Sequence, residues 1–263
     1  MSSPLSKAAP HNRIALVTGA SRGIGAACAA ELVRDGWRVV FCGRNRAALQ
    51  KAIAGAGDPF NDIAIRAHPV VADVTDPSAI DAMFAEVVSK FGRLDLLFNN
   101  AGIFPKHQAI DAIALADWRL AVDTNLTGMF LCLQHAFRQM KRQTPRGGRI
   151  INNGSLAAHA PRPESIAYAA TKHAVLGLTR AASLDGRAHE ISVGQIDIGN
   201  VATDMTAHTE QGAMQADGSL KPERRLDVMH VANAVVGMAN LPLEANIQYL
   251  TILPTTMPFV GRG

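Results

Sequence analysis

The sequence predicts an α/β fold, a parallel sheet with helices packed on both faces. Two observations lead there. Short β-branched apolar runs alternate with helical patterns along the whole chain, and the first such run ends in a glycine-rich loop that opens a helix. Strand–helix alternation of this kind closes through right-handed crossovers, which lay helices on both faces. Ligands on such a sheet sit at the carboxyl ends of the strands.

Taken in order, residues 14–17 read as the first strand and 26–33 as the helix that follows. Residues 38–42 are a second buried strand, and 46–54 a helix stopped by the glycines and proline of 55–59. Residues 63–71 read as the third strand, ending near Asp73. Asp76 caps a helix with Pro77 at its first position, running to Phe91. Residues 94–98 are the fourth strand, which runs into Asn99-Asn100-Ala101-Gly102. One long helix is expected over 117–140, then a basic loop, a fifth strand at 149–152, a long helix at 168–187 and a sixth strand at 191–196. Residues 201–227 are polar, contain methionines and show no period; they are a candidate substrate lid. A helix at 228–241 and a last strand at 248–253 complete the chain.

The 263 residues are 48% hydrophobic and 18% charged, which supports a large core and argues against disorder. No repeat or linker divides them, so residues 13–263 are expected to be a single catalytic domain behind a mobile tail, 1–12. That tail lacks the apolar stretch of a secretory signal. Cys28, Cys42 and Cys132 are too few and too scattered for a disulfide framework or a metal site, and they suit a reducing, cytoplasmic setting. The apolar runs are too short to span a membrane. A formal charge of +4 is spread thinly and aromatics are only 5%, so no nucleic-acid partner is expected.

The chemistry concentrates in three places. The loop Thr18-Gly19-Ala20-Ser21-Arg22-Gly23-Ile24-Gly25 has the spacing T-G-x-x-x-G-x-G. Its glycines allow a tight turn and a close backbone approach, and the helix start behind it favours a pyrophosphate. Tyr168 and Lys172 stand four apart on a predicted helix and share a face. A nearby ammonium makes a phenol more acidic, which suits proton exchange with an alcohol. Ser155, just past a strand end, can donate to a carbonyl oxygen.

Together with Asp73-Val74, Asn99-Asn100-Ala101-Gly102 and Asn125, these motifs resemble the single-domain short-chain dehydrogenases/reductases, over residues 14–205. The resemblance implies a Rossmann-like, doubly wound, seven-stranded, mostly parallel sheet. It implies Tyr168 as general acid/base and Lys172 as the residue that holds the nicotinamide ribose and lowers the Tyr168 pKa. It implies Ser155 as the group that orients the reacting oxygen and Asn125 as support for a water relay to Lys172. Gly19, Ser21, Arg22, Gly23, Ile24 and Gly25 would cradle the dinucleotide. Asp73 and Val74 would meet the adenine, and Asn100, Ala101 and Gly102 would border the cofactor. Gly199, Val201 and Thr203 would meet the nicotinamide side.

Two stretches depart from the pattern. Ile198-Gly199 stands where Pro-Gly is usual, and the chain ends in an atypical 253–263 segment. The second strand ends in Gly43, where NAD-specific folds carry an acidic residue. Arg44 follows directly and Arg22 sits in the loop, so NADP(H) is expected over NAD(H).

The expected function is hydride transfer between NADP(H) and a small carbonyl or secondary alcohol, with a 3-oxoacyl thioester as the leading substrate. A polyol, sugar or cyclic alcohol is the alternative within the family, and a non-catalytic dinucleotide sensor the alternative outside it. The two long helices imply a homotetramer by resemblance. His107, His159 and His173 lack a ligand spacing and read as surface or supporting groups, with His159 near the substrate mouth.

Overall fold

A computed structural model describes residues 12–57, 59–203 and 212–260. The seven-stranded sheet has the order β3-β2-β1-β4-β5-β6-β9. Its strands are β1 Ile14–Thr18, β2 Arg38–Gly43, β3 Ala67–Val71, β4 Leu96–Asn99, β5 Gly148–Asn153, β6 Ile191–Ile198 and β9 Tyr249–Ile252. Every neighbouring pair in it is parallel. Strands β1, β4, β5 and β6 are buried along their whole length, as expected where helices cover both faces.

Alternate strand residues feed two cores. On one face Val17, Phe41, Phe98 and Ile196 pack with Leu32 and Val33 of α1 (Gly23–Arg34), Leu49 of α2 (Arg46–Ala56), and Val231 and Val235 of α8 (Val228–Asn240). On the other, Leu16, Val40, Leu97 and Ile150 pack with Ile80, Met83 and Val87 of α4 (Pro77–Phe91) and Leu133 and Met140 of α6 (Gly128–Arg142). Fully burying each such side chain is worth roughly 1.5–3 kcal/mol.

Helix α4 starts and stops as its sequence dictates. The Asp76 side chain accepts from Ser78 N–H at 2.9 Å, and Gly92 closes the helix in the left-handed region at φ 73°.

Two expectations need correction. Residues 63–71 are not one strand, because Ile63–Arg66 forms a helical turn, α3, before β3. Its N–H groups at Ile65 and Arg66 turn back to the Asp62 carbonyl, and the Arg66 guanidinium donates to the Gly36 carbonyl at 2.7 Å. The helix at 117–140 is interrupted: α5 (Leu115–Val122) passes through a π-turn, Asp123–Thr127, into α6. The lid candidate contains a small antiparallel hairpin, β7 Ala213–Met214 with β8 Leu220–Lys221. Residues 204–211 of that candidate, with Met205, lie outside the described residues, as do 1–11 of the expected tail. The long helix before β6 is α7, Ile166–Gly186.

Candidate active site

The chain runs outward from β1 in both directions, to β2 on one side and β4 on the other, so the crevice of this sheet opens above β1. The glycine loop sits there. Gly19 and Gly23 have φ of 68° and 56°. A Cβ on Gly25 would stand 2.2 Å from the Gly19 carbonyl oxygen, so only glycine lets α1 start this close to the loop. The Thr18 hydroxyl accepts from the N–H groups of Asn100 and Ala101, both at 2.9 Å. The Asn100 amide donates to the Thr18 carbonyl at 2.8 Å. These bonds lock the loop to the end of β4. Arg22, at the α1 N-cap, makes no side-chain capping bond, and the start of the helix behind it, Gly23, Ile24 and Gly25, lines the crevice.

Every residue nominated for the dinucleotide lines this one cleft. Gly19, Ser21, Arg22, Gly23, Ile24 and Gly25 form its floor, with Asn100, Ala101 and Gly102 beside them. Arg44, Asp73 and Val74 line one end, and Tyr168, Lys172, Gly199, Val201 and Thr203 the other. At the first end a Cβ added at Gly43 would reach Ser21 at 3.4 Å, and the exposed Arg44 guanidinium lies 3.9 Å from the Asp73 carboxylate. The cleft fits a dinucleotide: a cradle over glycines, a helix N-terminus, and cations at both ends.

At the second end, Tyr168 and Lys172 lie one turn apart on α7. The Lys172 ammonium is 5.6 Å from the Tyr168 ring centroid and donates to the Asn153 carbonyl at 2.7 Å. Phe104 packs on the other side of the phenol ring, with centroids 4.6 Å apart. Burial pushes the Lys172 pKa down to about 8, against the pull of Asp197. The phenol is pushed up rather than down: burial dominates, hydrogen bonding with Ser155 opposes it, and Asp197 adds to it. The lowered phenol pKa expected from the sequence is therefore absent from the protein alone.

Ser155 is anchored by its backbone. Its N–H donates to Asp197 Oδ1 at 2.9 Å, and its hydroxyl oxygen accepts from Ala157 N–H at 3.1 Å. Asn125 lies in the π-turn and is fully buried. Its side chain grips Ile103, accepting from the N–H at 2.8 Å and donating to the carbonyl at 2.9 Å, and also donates to Thr171 at 3.3 Å. Asn125 thus braces the cleft wall at Gly102–Ile103 rather than lining the cleft.

Asp197 was not anticipated. It is a carboxylate near the end of an apolar strand, and that placement was the available signal. It accepts from Gln195 Nε2 at 2.7 Å and contacts His159 Nε2 at 2.8 Å. His173 instead meets the Ala169 carbonyl of its own helix, and His107 stacks near Phe104. Beyond His159, Arg162 pairs with Glu223, which also accepts from Asn200 at 2.7 Å and Gln215 at 2.9 Å. This pins the described part of the lid candidate to the loop after Ser155. The atypical C-terminus folds back over the same end of β6: Asn200 N–H meets the Met257 sulfur at 3.4 Å, and the rings of Phe259 and His159 are 6.4 Å apart.

Among the described residues, no helix is long and apolar enough to cross a membrane, and no His/Cys/Asp/Glu group could hold a metal ion.

The chain is similar to known proteins in sequence and in fold. The sequence profile described as short chain dehydrogenase matches residues 13–213. A 3-oxoacyl-(acyl-carrier-protein) reductase of Staphylococcus aureus is 38% identical over 192 residues, 73% of this chain and 76% of its own. A serine 3-dehydrogenase of Agrobacterium fabrum is 30% identical over 247 residues, 94% of this chain and 95% of its own. Among solved structures, the closed form of a serine dehydrogenase complexed with NADP+ superposes with a TM-score of 0.81 at 27% identity, covering 95% of this chain and 98% of that one.

Proposed function

The chain belongs to the short-chain dehydrogenase family, and from that premise we propose that it is an NADP(H)-dependent reductase of a small ketone of the 3-oxoacyl ester or thioester type. Residues 13–263 form its one catalytic domain in this reading. The observation that carries it is that Tyr168 and Lys172 line one end of the glycine-floored cleft, with Ser155 hydrogen-bonded to the Tyr168 phenol behind them. A pure dinucleotide sensor has no use for the phenol.

The bound nicotinamide supplies the hydride to the carbonyl carbon, or takes it back in reverse. The chain's own groups do the rest. The Ser155 oxygen accepts from Ala157, and its hydroxyl, hydrogen-bonded to Tyr168 in the protein alone, would turn its O–H to the carbonyl oxygen of a bound substrate. Burial keeps Tyr168 protonated at neutral pH, which suits a proton donor in the reductive direction. Hydride and proton together turn the carbonyl into an alcohol. Lys172 spends one N–H on Asn153 and keeps two for the ribose hydroxyls. Asn125 braces the Gly102–Ile103 wall of the cleft that would hold the cofactor.

The preference for NADP(H) is supported by the absent carboxylate at Gly43 and by Arg22 and Arg44 at that end of the cleft. Arg44 is 72% exposed and only loosely paired, so it can turn to a 2′-phosphate. Leu115, Leu120, Phe130 and Leu184 leave apolar surface on α5, α6 and α7, which supports a homotetramer. Three buried free thiols fit a reducing, cytoplasmic setting. The test is NADPH oxidation across a carbonyl library, with the best substrates assayed in reverse; no turnover with any carbonyl or alcohol would refute the reading.

A further inference from the structure

Asp197 joins two parts of the substrate mouth. Its side chain is 1% exposed, so its charge is out of bulk water and must be met by donors. One oxygen, Oδ1, takes the Ser155 N–H at 2.9 Å and the Gln195 amide at 2.7 Å. The other, Oδ2, takes the His159 ring at 2.8 Å. Ser155 and His159 are the two ends of one short turn, Leu156–Ala158, closed by the His159 N–H on the Leu156 carbonyl at 3.0 Å. One carboxylate therefore fixes the reacting-oxygen donor with one atom and the neighbouring imidazole with the other. The imidazole is 37% exposed, faces Phe259 of the C-terminal segment, and among the described residues has no hydrogen-bond partner on Nδ1.

Resting on the reductase reading above, we infer that His159 is a specificity-determining residue, oriented by Asp197, that selects ketones with a neutral oxygen function beside the reacting carbonyl and rejects the matching carboxylates. The selection follows from charge. With the imidazole protonated the His159–Asp197 couple is neutral, and Nδ1 donates to a neutral carbonyl. With it unprotonated the couple carries −1, and Nδ1 accepts from a hydroxyl. In neither state does it carry the net positive charge that would attract a carboxylate. With the imidazole protonated, the second carbonyl of a 3-oxoacyl ester or thioester accepts from Nδ1, whereas the carboxylate of a free 3-oxo acid meets no net positive charge to offset its desolvation. Asp197 acts through His159 and Ser155 and is a positioning residue.

Three probe ketones test it: ethyl acetoacetate (neutral ester), acetoacetate (carboxylate) and 2-pentanone (no second oxygen). Wild type should prefer the ester to each of the others by about tenfold or more in kcat/KM, the scale of one satisfied hydrogen bond. His159→Phe should lower the ester-to-pentanone ratio about tenfold, and His159→Gln, whose carboxamide still donates to Asp197 and keeps a second N–H, should restore most of it. Asp197→Asn removes the negative charge and should narrow the ester-to-acetoacetate ratio about tenfold. Ratios cancel any loss common to the substrates, partial misfolding included. Turnover of these ketones with ratios unmoved by the His159 substitutions would overturn the inference alone. Failure of wild type to reduce any of them, or a preference for acetoacetate, would overturn it as well, while the reductase reading falls only if no carbonyl or alcohol of the wider library is turned over.

Discussion

Lys172 donates its ammonium to the carbonyl of Asn153 at 2.7 Å, so the lysine is tethered to the end of β5 rather than to the phenol one turn away. Its charge sits in the cleft wall, 4% exposed, where burial opposes it. Lys172 thereby becomes the group whose protonation the cleft controls most directly.

That burial has a sign. The Lys172 pKa is about 8 in the folded protein against 10.5 unfolded. Between those values the unfolded chain holds more protons, so this group's contribution to stability rises with pH from about 8 to 10.5 and is lost as pH falls back. The full swing is on the order of 3 kcal/mol. Urea unfolding of wild type and Lys172→Met at pH 7.5 and pH 10 should show the variant's advantage shrinking as pH rises. A gap independent of pH would contradict this.

The glycine cradle should not tolerate one added methyl. In Gly25→Ala the new carbon would meet the Gly19 carbonyl at 2.2 Å and the Asn100 amide at 2.6 Å. Overpacking of this kind costs roughly 1–3 kcal/mol. The loop would shift away from the pyrophosphate position, so NADPH affinity should fall by about tenfold or more along with the melting temperature. Unchanged affinity measured by fluorescence titration would mean that the loop does not hold the cofactor.

Selectivity between the dinucleotides should rest on two arginines. A charged hydrogen bond contributes roughly 1.5–3 kcal/mol, so Arg22 and Arg44 together should favour NADPH over NADH by about a hundredfold or more. Arg22→Ala with Arg44→Ala should close most of that gap by weakening NADPH alone. Equal affinities in the wild type would refute the preference.

Assembly should follow the apolar faces. Leu120 on α5, Phe130 on α6 and Leu184 on α7 are about half exposed. Light scattering at micromolar concentration should give a tetramer, and Phe130→Glu should shift it toward smaller species. A monomeric wild type would remove the proposal.

Much of this was legible in the sequence, and the misses share a cause. The cap and stop of α4 are local chemistry, Asp76 before Pro77 and Gly92 behind Phe91, and they read off directly. The residues nominated for the dinucleotide line one cleft because strand ends share one rim whatever their distance in sequence. The π-turn was not legible: Gly128 closes it, but a single glycine inside a helical pattern does not announce a turn, and this one accompanies the grip of Asn125 on Ile103, 22 residues away. Ile63–Arg66 looked like strand because its apolar residues fit either period, and a tertiary bond from Arg66 to Gly36 holds the turn. The phenol pKa was misread because spacing reveals a nearby lysine but not the depth at which both groups lie.

The most direct test of the central claim is Tyr168→Phe, assayed for NADPH binding and for turnover on the same preparation. The substitution removes only the phenol oxygen and leaves the ring against Phe104. NADPH affinity should stay within a fewfold of wild type while kcat for the best ketone falls by several orders of magnitude. Wild-type turnover in Tyr168→Phe would contradict the account.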